Sequence, residues 1–117
     1  MMLNFESKSD SIKNKQVNAL NKKELDKGSV ELAAIMKVMS HPVRIYILKK
    51  LSKMNACCYS GDLVEELPIG RSTLSQHLKE LKHAGLIQGK IEPPFIKYCI
   101  NRDNWDRVKQ LIGDFLK

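Results

Sequence analysis

With 117 residues, the chain is long enough for one hydrophobic core and short for two, so we expect a single domain. Twenty Lys and Arg against 13 Asp and Glu give a net charge of +7, which points to an anionic partner. The apolar run at residues 32–36 is far shorter than the roughly 18 residues of a membrane span, and we find no signal-peptide core. We therefore expect a cytoplasmic protein with no membrane partner.

The N-terminal segment, residues 1–28, is polar with sparse apolar positions, and we predict a flexible or partly helical tail. Residues 29–117 are predicted to form the domain. A first amphipathic helix has Ser29 as its predicted N-cap, because serine favours that position. Its apolar residues repeat at i, i+3, i+4 and i+7, and they are Leu32, Ile35, Met36 and Met39.

A second helix is predicted where the sequence reads SHPVRIYILKKLSKM. Ser40 or His41 is its expected cap, and Pro42 falls in the first turn, where the missing N–H does no harm. Asn55 is the expected end of this helix.

Two further helices follow, separated by a short turn. Ser60 is the predicted cap of a short third helix, and residues 68–70, which include a glycine, form the turn. In the stretch STLSQHLKELKHAGLI, Leu74, Leu78 and Leu81 share one helical face, which predicts a helix seated on the core. Two helices joined by a turn of three or four residues describe a helix-turn-helix.

The remaining chain predicts a hairpin and a last helix. Gly85 is expected to stop the preceding helix, and Pro93 and Pro94 separate the two β-prone runs LIQGKI and FIKYCI, so they belong at the hairpin tip. The last helix, capped by Asn101 or Asp103, is strongly apolar on one side.

The motifs SHPVRIYIL and STLSQHLKELKHAGLI resemble the ArsR/SmtB family of bacterial dimeric repressors. The resemblance covers about residues 29–116. It implies a mainly α fold with a small β-hairpin, a dimeric winged helix-turn-helix. It also implies a repressor that binds double-stranded DNA at a palindromic operator as a homodimer and is released by an inducer.

Within that resemblance, the polar side of the helix after the turn is expected to contact DNA. Short donors and acceptors read base edges, cations bind phosphates, and a glutamine can pair bidentately with adenine. Residues 71–102 hold six basic and two acidic residues, a net charge of +4. The predicted DNA-binding residues are Ser72, Thr73 and Gln76 for bases, Arg71, Ser75, His77 and Lys79 for phosphates, and Lys90, Lys97 and Arg102 around the hairpin. For His77, packing at the domain edge is an equally good alternative. For each lysine, a contribution to solubility alone is an equally good alternative.

A two-fold operator requires a two-fold protein, and the resemblance implies that the first and last helices form the dimer surface. The alternative is that their apolar residues belong to the core of one chain. The predicted dimer residues are Leu32, Ile35, Met36, Met39, Trp105, Val108, Leu111, Ile112 and Phe115.

The three cysteines are expected to be reduced thiols, because their number is odd and secretory features are lacking. Cys57, Cys58 and Cys99 have the softness for a thiophilic metal or metalloid, which some family members sense. The family's usual metal patterns are absent here: residues 59–61 hold no cysteine, and no histidine follows His83. Adjacent residues of a strand point to opposite faces, so Cys57 and Cys58 are not both expected to face Cys99. Buried free cysteines are the alternative.

Two other classes of function compete with this interpretation. An enzyme is disfavoured, because the sequence shows no nucleophile elbow, glycine-rich loop or carboxylate pair. A winged helix that recruits another protein without reading DNA is the stronger alternative. Salt dependence separates the two, because phosphate contacts make affinity fall steeply with salt.

Overall fold

The computed structural model describes residues 25–53 and 57–117, so the predicted tail up to residue 24 and the predicted helix end at Asn55 lie outside the described residues. Within them the chain forms five helices and three strands. The helices are α1 (Lys27–Met39), α2 (Pro42–Lys53), α3 (Ser60–Glu66), α4 (Arg71–His83) and α5 (Arg102–Leu116). The strands are β1 (Cys58–Tyr59), β2 (Ile87–Glu92) and β3 (Phe95–Ile100).

Two of the predicted helix caps are wrong. Asp26, not Ser29, caps α1, and its carboxylate accepts a hydrogen bond of 2.6 Å from the backbone N–H of Ser29. That hydrogen bond also lowers the pKa of Asp26. Ser60 is the first helical residue of α3, and Tyr59 occupies the cap without a side-chain hydrogen bond. In both cases the helix begins earlier than the prediction placed it.

Two other caps are confirmed. His41 Nδ1 accepts a hydrogen bond of 3.2 Å from the backbone N–H of Val43 in the first turn of α2. Asn101 caps α5, where its side chain accepts a hydrogen bond of 3.3 Å from the N–H of Asn104. These contacts satisfy N–H groups that have no partner within their helix.

The hairpin is confirmed, and a third strand joins it. β2 and β3 pair antiparallel from Ile87 opposite Ile100 to Glu92 opposite Phe95, which places the two prolines at the tip. β1 pairs with the other edge of β3, so the strand order is β1-β3-β2. Gly85 ends the α4 turn with a φ of 86°, a left-handed conformation that glycine adopts without steric cost.

One hydrophobic core lies between the helices and the inner face of the sheet. Leu74, Leu78 and Leu81 of α4 are almost fully buried in it, as their spacing predicts. Ile47, Leu48 and Leu51 of α2 and Leu63 of α3 complete its centre. Burying a Leu side chain is worth about 1.5–3 kcal/mol. The three leucines of α4, which we call the leucine seam, therefore hold this helix on the domain.

The predicted dimer residues divide into two groups. Leu32, Ile35, Val108 and Leu111 are buried within one chain, so for these four the core alternative is correct. They pack α1 against α5, and a salt bridge of 2.9 Å between Arg107 and Glu31 joins the same two helices. The other five stay partly or largely accessible, and they are Met36, Met39, Trp105, Ile112 and Phe115.

Candidate nucleic-acid interface

The helix-turn-helix is formed by α3, the segment 67–70 and α4. Gly70 takes an extended conformation at the cap of α4, with φ −79° and ψ 171°, and its carbonyl accepts the N–H of Leu74. This tight connection leaves the first turn of α4 at the surface. The leucine seam lies on the buried side of α4, so the opposite side of this helix faces away from the core.

That opposite side is exposed over two turns, and we call it the polar ridge. It consists of Arg71, Ser72, Thr73, Ser75, Gln76 and Lys79, all of which are exposed in the described structure. The ridge offers hydroxyls and a carboxamide beside two cations, which suits base edges flanked by phosphates. The exposure that the helical periodicity predicts is confirmed for five of the six, and they are Ser72, Thr73, Ser75, Gln76 and Lys79.

His77 is the exception among the predicted residues of α4. Its side chain is 8 % exposed, and its Nδ1 accepts a hydrogen bond of 3.0 Å from Nε of Arg44 in α2. Arg44 also donates to the carbonyl of Val38, and the ring of His41 lies 4.2 Å from that of His77. The structure therefore favours the packing alternative for His77 over a phosphate contact.

This environment lowers the pKa of His77. Burial disfavours the charged ring most, and electrostatic repulsion from the neighbouring His41 and Arg44 side chains adds to the effect. A neutral ring also keeps the Nδ1 lone pair that Arg44 requires. His77 thus acts as a neutral hydrogen-bond acceptor that joins α4 to α2. In the sequence, its position near the edge of the leucine seam indicated that it could pack against the domain.

Beside the ridge, a cleft of about 420 Å³ lies between α3 and α4. Its polar lining consists of Ser60, Arg71, Ser72 and Ser75, which bring three hydroxyls and one guanidinium to the same cleft. These groups suit a phosphate oxygen at the edge of the ridge. The sequence pattern predicted Ser60 only as a cap, and nothing in that pattern indicated that it would line a cleft with Arg71.

The three basic residues predicted to contact DNA around the hairpin, which we call the wing, differ in how free their side chains are. Lys90 on β2 is exposed, as a phosphate-binding residue must be. Lys97, opposite it on β3, lies 3.1 Å from the Glu92 carboxylate and above the ring of Tyr59, and the hydrogen bond to Glu92 raises its pKa. Arg102 is exposed and donates to the carbonyl of Ser52 at 3.4 Å. Lys90 is therefore the freest of these three predicted contacts.

The expected reduced thiols are not what the structure shows. Cys57, which directly precedes β1, forms a disulfide with Cys99 on β3, with Cα atoms 4.5 Å apart, while Cys58 is free and buried in the core. Because only Cys57 pairs with Cys99, the prediction that the two adjacent cysteines do not both face Cys99 is confirmed. Three thiolates are therefore not assembled around one ion, and the described ranges contain no cluster of three or more metal-ligating side chains. Thiophilic metal binding stays a prediction for the reduced protein alone.

Comparison of the fold with solved structures identifies the class of protein. The transcriptional repressor BigR from Xylella fastidiosa superposes with a TM-score of 0.62 and 27% identity, over 82% of this chain and 97% of that one. HlyU from Vibrio cholerae superposes with a TM-score of 0.60 and 25% identity, over 74% of this chain and 97% of that one. The architecture is a winged helix-turn-helix, and α4 is the second helix of its helix-turn-helix.

Sequence comparison then shows the family. Residues 41–88 match the model of bacterial regulatory proteins of the arsR family. An HTH-type transcriptional regulator of Methanocaldococcus jannaschii is 35% identical over 80 residues, which cover 68% of this chain and 85% of the relative. The arsenical resistance operon repressor of Staphylococcus xylosus is 34% identical over 80 residues, which cover 68% and 75%. The chain belongs to the ArsR family of DNA-binding transcriptional regulators.

No helix in the described ranges has the length and hydropathy needed to cross a bilayer.

Proposed function

We propose that this protein represses transcription by binding a palindromic operator as a homodimer. The observation that carries the proposal is the polar ridge of α4, which the leucine seam anchors and which the described chain leaves uncovered. In this arrangement Gln76 reads a base, and Arg71 with the serines of the adjacent cleft holds a phosphate. Lys90 holds the flanking backbone from the wing.

Dimerisation is supported by apolar side chains that the described part of the chain leaves exposed. Phe115 is 64% exposed and Leu116 72% at the end of α5, and Met36 is 42% exposed on α1, which packs against α5. An apolar surface on two helices held together by the Arg107–Glu31 salt bridge suits a self-complementary interface. A two-fold pair then presents two ridges to the two halves of an operator.

Selection of bound fragments from random DNA tests the first part of the proposal. We expect enrichment of an inverted repeat whose half-sites lie about one helical turn apart. Affinity for that repeat should fall steeply with salt. Enrichment of no sequence, together with a flat salt response, would support a winged helix that recruits a protein instead.

Two variants separate base reading from phosphate binding. Gln76→Ala should cost about 1–3 kcal/mol at one base pair per half-site and relax the preference there. Lys90→Ala should weaken operator and random DNA alike and reduce the salt slope by about one per protomer. Lys109→Ala on the exposed side of α5 is the matched control and should change neither. Identical losses from Gln76→Ala on operator and random DNA would refute the assignment of Gln76.

Sedimentation velocity tests the dimer. Phe115→Lys places a charge in the proposed interface twice by symmetry, so dimerisation should weaken by at least about a hundredfold. Ile91→Lys is the matched control, because Ile91 is an equally exposed apolar residue, 74% accessible, on the wing. Equal dimerisation of the Phe115→Lys variant and the unmodified protein would exclude this surface.

A further inference from the structure

A second cleft, distinct from the polar ridge, lies where the end of α4, the start of β2 and the first turn of α5 meet. It has a volume of about 250 Å³. Polar side chains from all three elements line it, and they are Lys82, Gln88, Asn101 and Asn104. We call it the α4–α5 cleft. None of its residues belongs to the predicted DNA-binding or dimer sets.

Asn104 lines the cleft and carries an unsatisfied acceptor. Its side chain is 1% exposed, and its Nδ2 donates a hydrogen bond of 2.8 Å to the carbonyl of Gly85. Its Oδ1 is buried without a hydrogen-bond partner among the described residues. A buried acceptor left in this state costs about 1–3 kcal/mol, which a donor from a bound molecule would recover.

Lys82 gives the cleft a cation. Its Nζ lies only 3.4 Å from the point that a Cβ atom on Gly89 would occupy, so the lysine side chain lies across the strand where β2 has no side chain. Within the described ranges no acidic side chain forms a salt bridge with it. Its ammonium therefore remains available to an anion.

The size of the cleft limits what it can hold. A protein cavity of about 150 Å³ accepts benzene, so one of this size and open to solvent accepts a molecule of roughly ten non-hydrogen atoms. Such a molecule needs a negative charge for Lys82 and a hydrogen-bond donor for Asn104. A small hydroxycarboxylate carries both groups.

We propose that the α4–α5 cleft binds a small hydroxycarboxylate and that the bound molecule alters operator affinity. Its carboxylate pairs with Lys82, and its hydroxyl donates to Oδ1 of Asn104. Lys82 is in the last turn of α4, which carries the polar ridge, and Asn104 is in the first turn of α5, so the ligand joins the two helices. The effect on DNA rests on the function proposed above, whereas binding itself does not.

Titration of the isotope-labelled full chain with L-malate, followed by NMR, tests the binding. Saturable shifts should be confined to the backbone and side-chain amides around the cleft, at Gln88, Gly89, Asn101 and Asn104. Succinate lacks only the hydroxyl and should bind about tenfold more weakly. No saturable shift up to about 10 mM malate, or equal binding of succinate, would overturn the proposal.

Variants separate this cleft from general attraction of anions. Lys82→Met keeps the aliphatic stem and removes the charge, so malate should bind at least about tenfold more weakly. Lys109→Met, on the exposed surface of α5, should leave malate binding unchanged. Asn104→Leu should abolish the preference for malate over succinate, and Lys82→Met keeps the proposal testable if that variant does not fold. Equal malate binding by Lys82→Met and the unmodified protein would refute the site.

Operator binding tests the coupling. If malate changes operator affinity by some factor, the operator must change malate affinity by the same factor. Malate binding that leaves operator affinity unchanged would refute the regulatory part alone. A failure of the proposed function is distinguishable, because then no operator would bind even without malate.

Discussion

Reduction of the Cys57–Cys99 disulfide is expected to lower the free energy of unfolding by about 4 kcal/mol. The bond joins residues 42 positions apart, and closing a loop of that length removes about 13 cal/mol/K of chain entropy from the unfolded state. At 25 °C this entropy corresponds to about 4 kcal/mol. Such a change is a large fraction of the roughly 5–15 kcal/mol that stabilises an ordinary domain.

Urea denaturation with and without dithiothreitol measures the effect. With a urea m-value of about 2 kcal/mol/M, the midpoint should fall by roughly 2 M on reduction. Protein concentration must stay constant, because dimerisation adds stability by mass action. Alkylation under denaturing, non-reducing conditions should label only one of the three cysteines.

Single substitutions identify the paired cysteines. Cys57→Ser should abolish the response to dithiothreitol, whereas Cys58→Ala should retain it, because Cys58 is the free thiol in the core. An unchanged midpoint for the reduced unmodified protein would refute the entropic reasoning. Loss of the response in Cys58→Ala would refute the pairing itself.

Three further substitutions test the end of α4, the cap of α5 and the buried histidine of α4. Gly85→Ala should cost about 1 kcal/mol in urea denaturation, because Gly85 has a φ of 86° that alanine adopts only with strain, and an unchanged midpoint would contradict this. Asn101→Ala should cost about 0.5–2 kcal/mol by removing the α5 cap, whereas Asn101→Asp should keep most of the stability. For His77, burial lowers the pKa in the folded state below the usual 6.5, so the unfolded chain binds the proton more readily. The contribution of His77 to stability should therefore be constant above about pH 6.5, fall as the pH drops from about 6.5 to the folded pKa, and level off below it, and the His77→Gln variant should lose that part of the pH dependence in the same urea assay.

The sequence predicted those parts of the fold that depend on local periodicity and turn chemistry. The leucine spacing of α4 defines its buried side, and Gly85, Pro93 and Pro94 mark where a helix ends and a hairpin turns. The exposure of the polar ridge follows from the same rotation. These features need only neighbours along the chain, so one sequence is enough to derive them.

Contacts between distant segments could not be derived in the same way. The cysteine pairing depends on β1 meeting β3 with Cys58 opposite Tyr98, and a register between strands 40 residues apart is not written in local spacing. The same holds for Arg44 and His77, which come from different helices. Helical periodicity showed that Ile35 and Val108 lie on apolar helix faces. It did not show whether those faces are buried inside one chain, as the structure has them, or between two chains.

The two candidate sites share one rigid element, the helix α4. α4 has 13 residues, so at 1.5 Å per residue it is about 20 Å long, with the polar ridge toward its N-terminal end and Lys82 in its last turn. Because the leucine seam and the Arg44–His77 hydrogen bond hold its middle, a displacement at Lys82 would be transmitted as a rotation of the whole helix rather than absorbed by bending. Weakening the middle should therefore uncouple the ends: Arg44→Met should leave malate binding intact and reduce the effect of malate on operator affinity. Retention of the full effect in that variant would show that the coupling passes through α5 and the dimer surface instead.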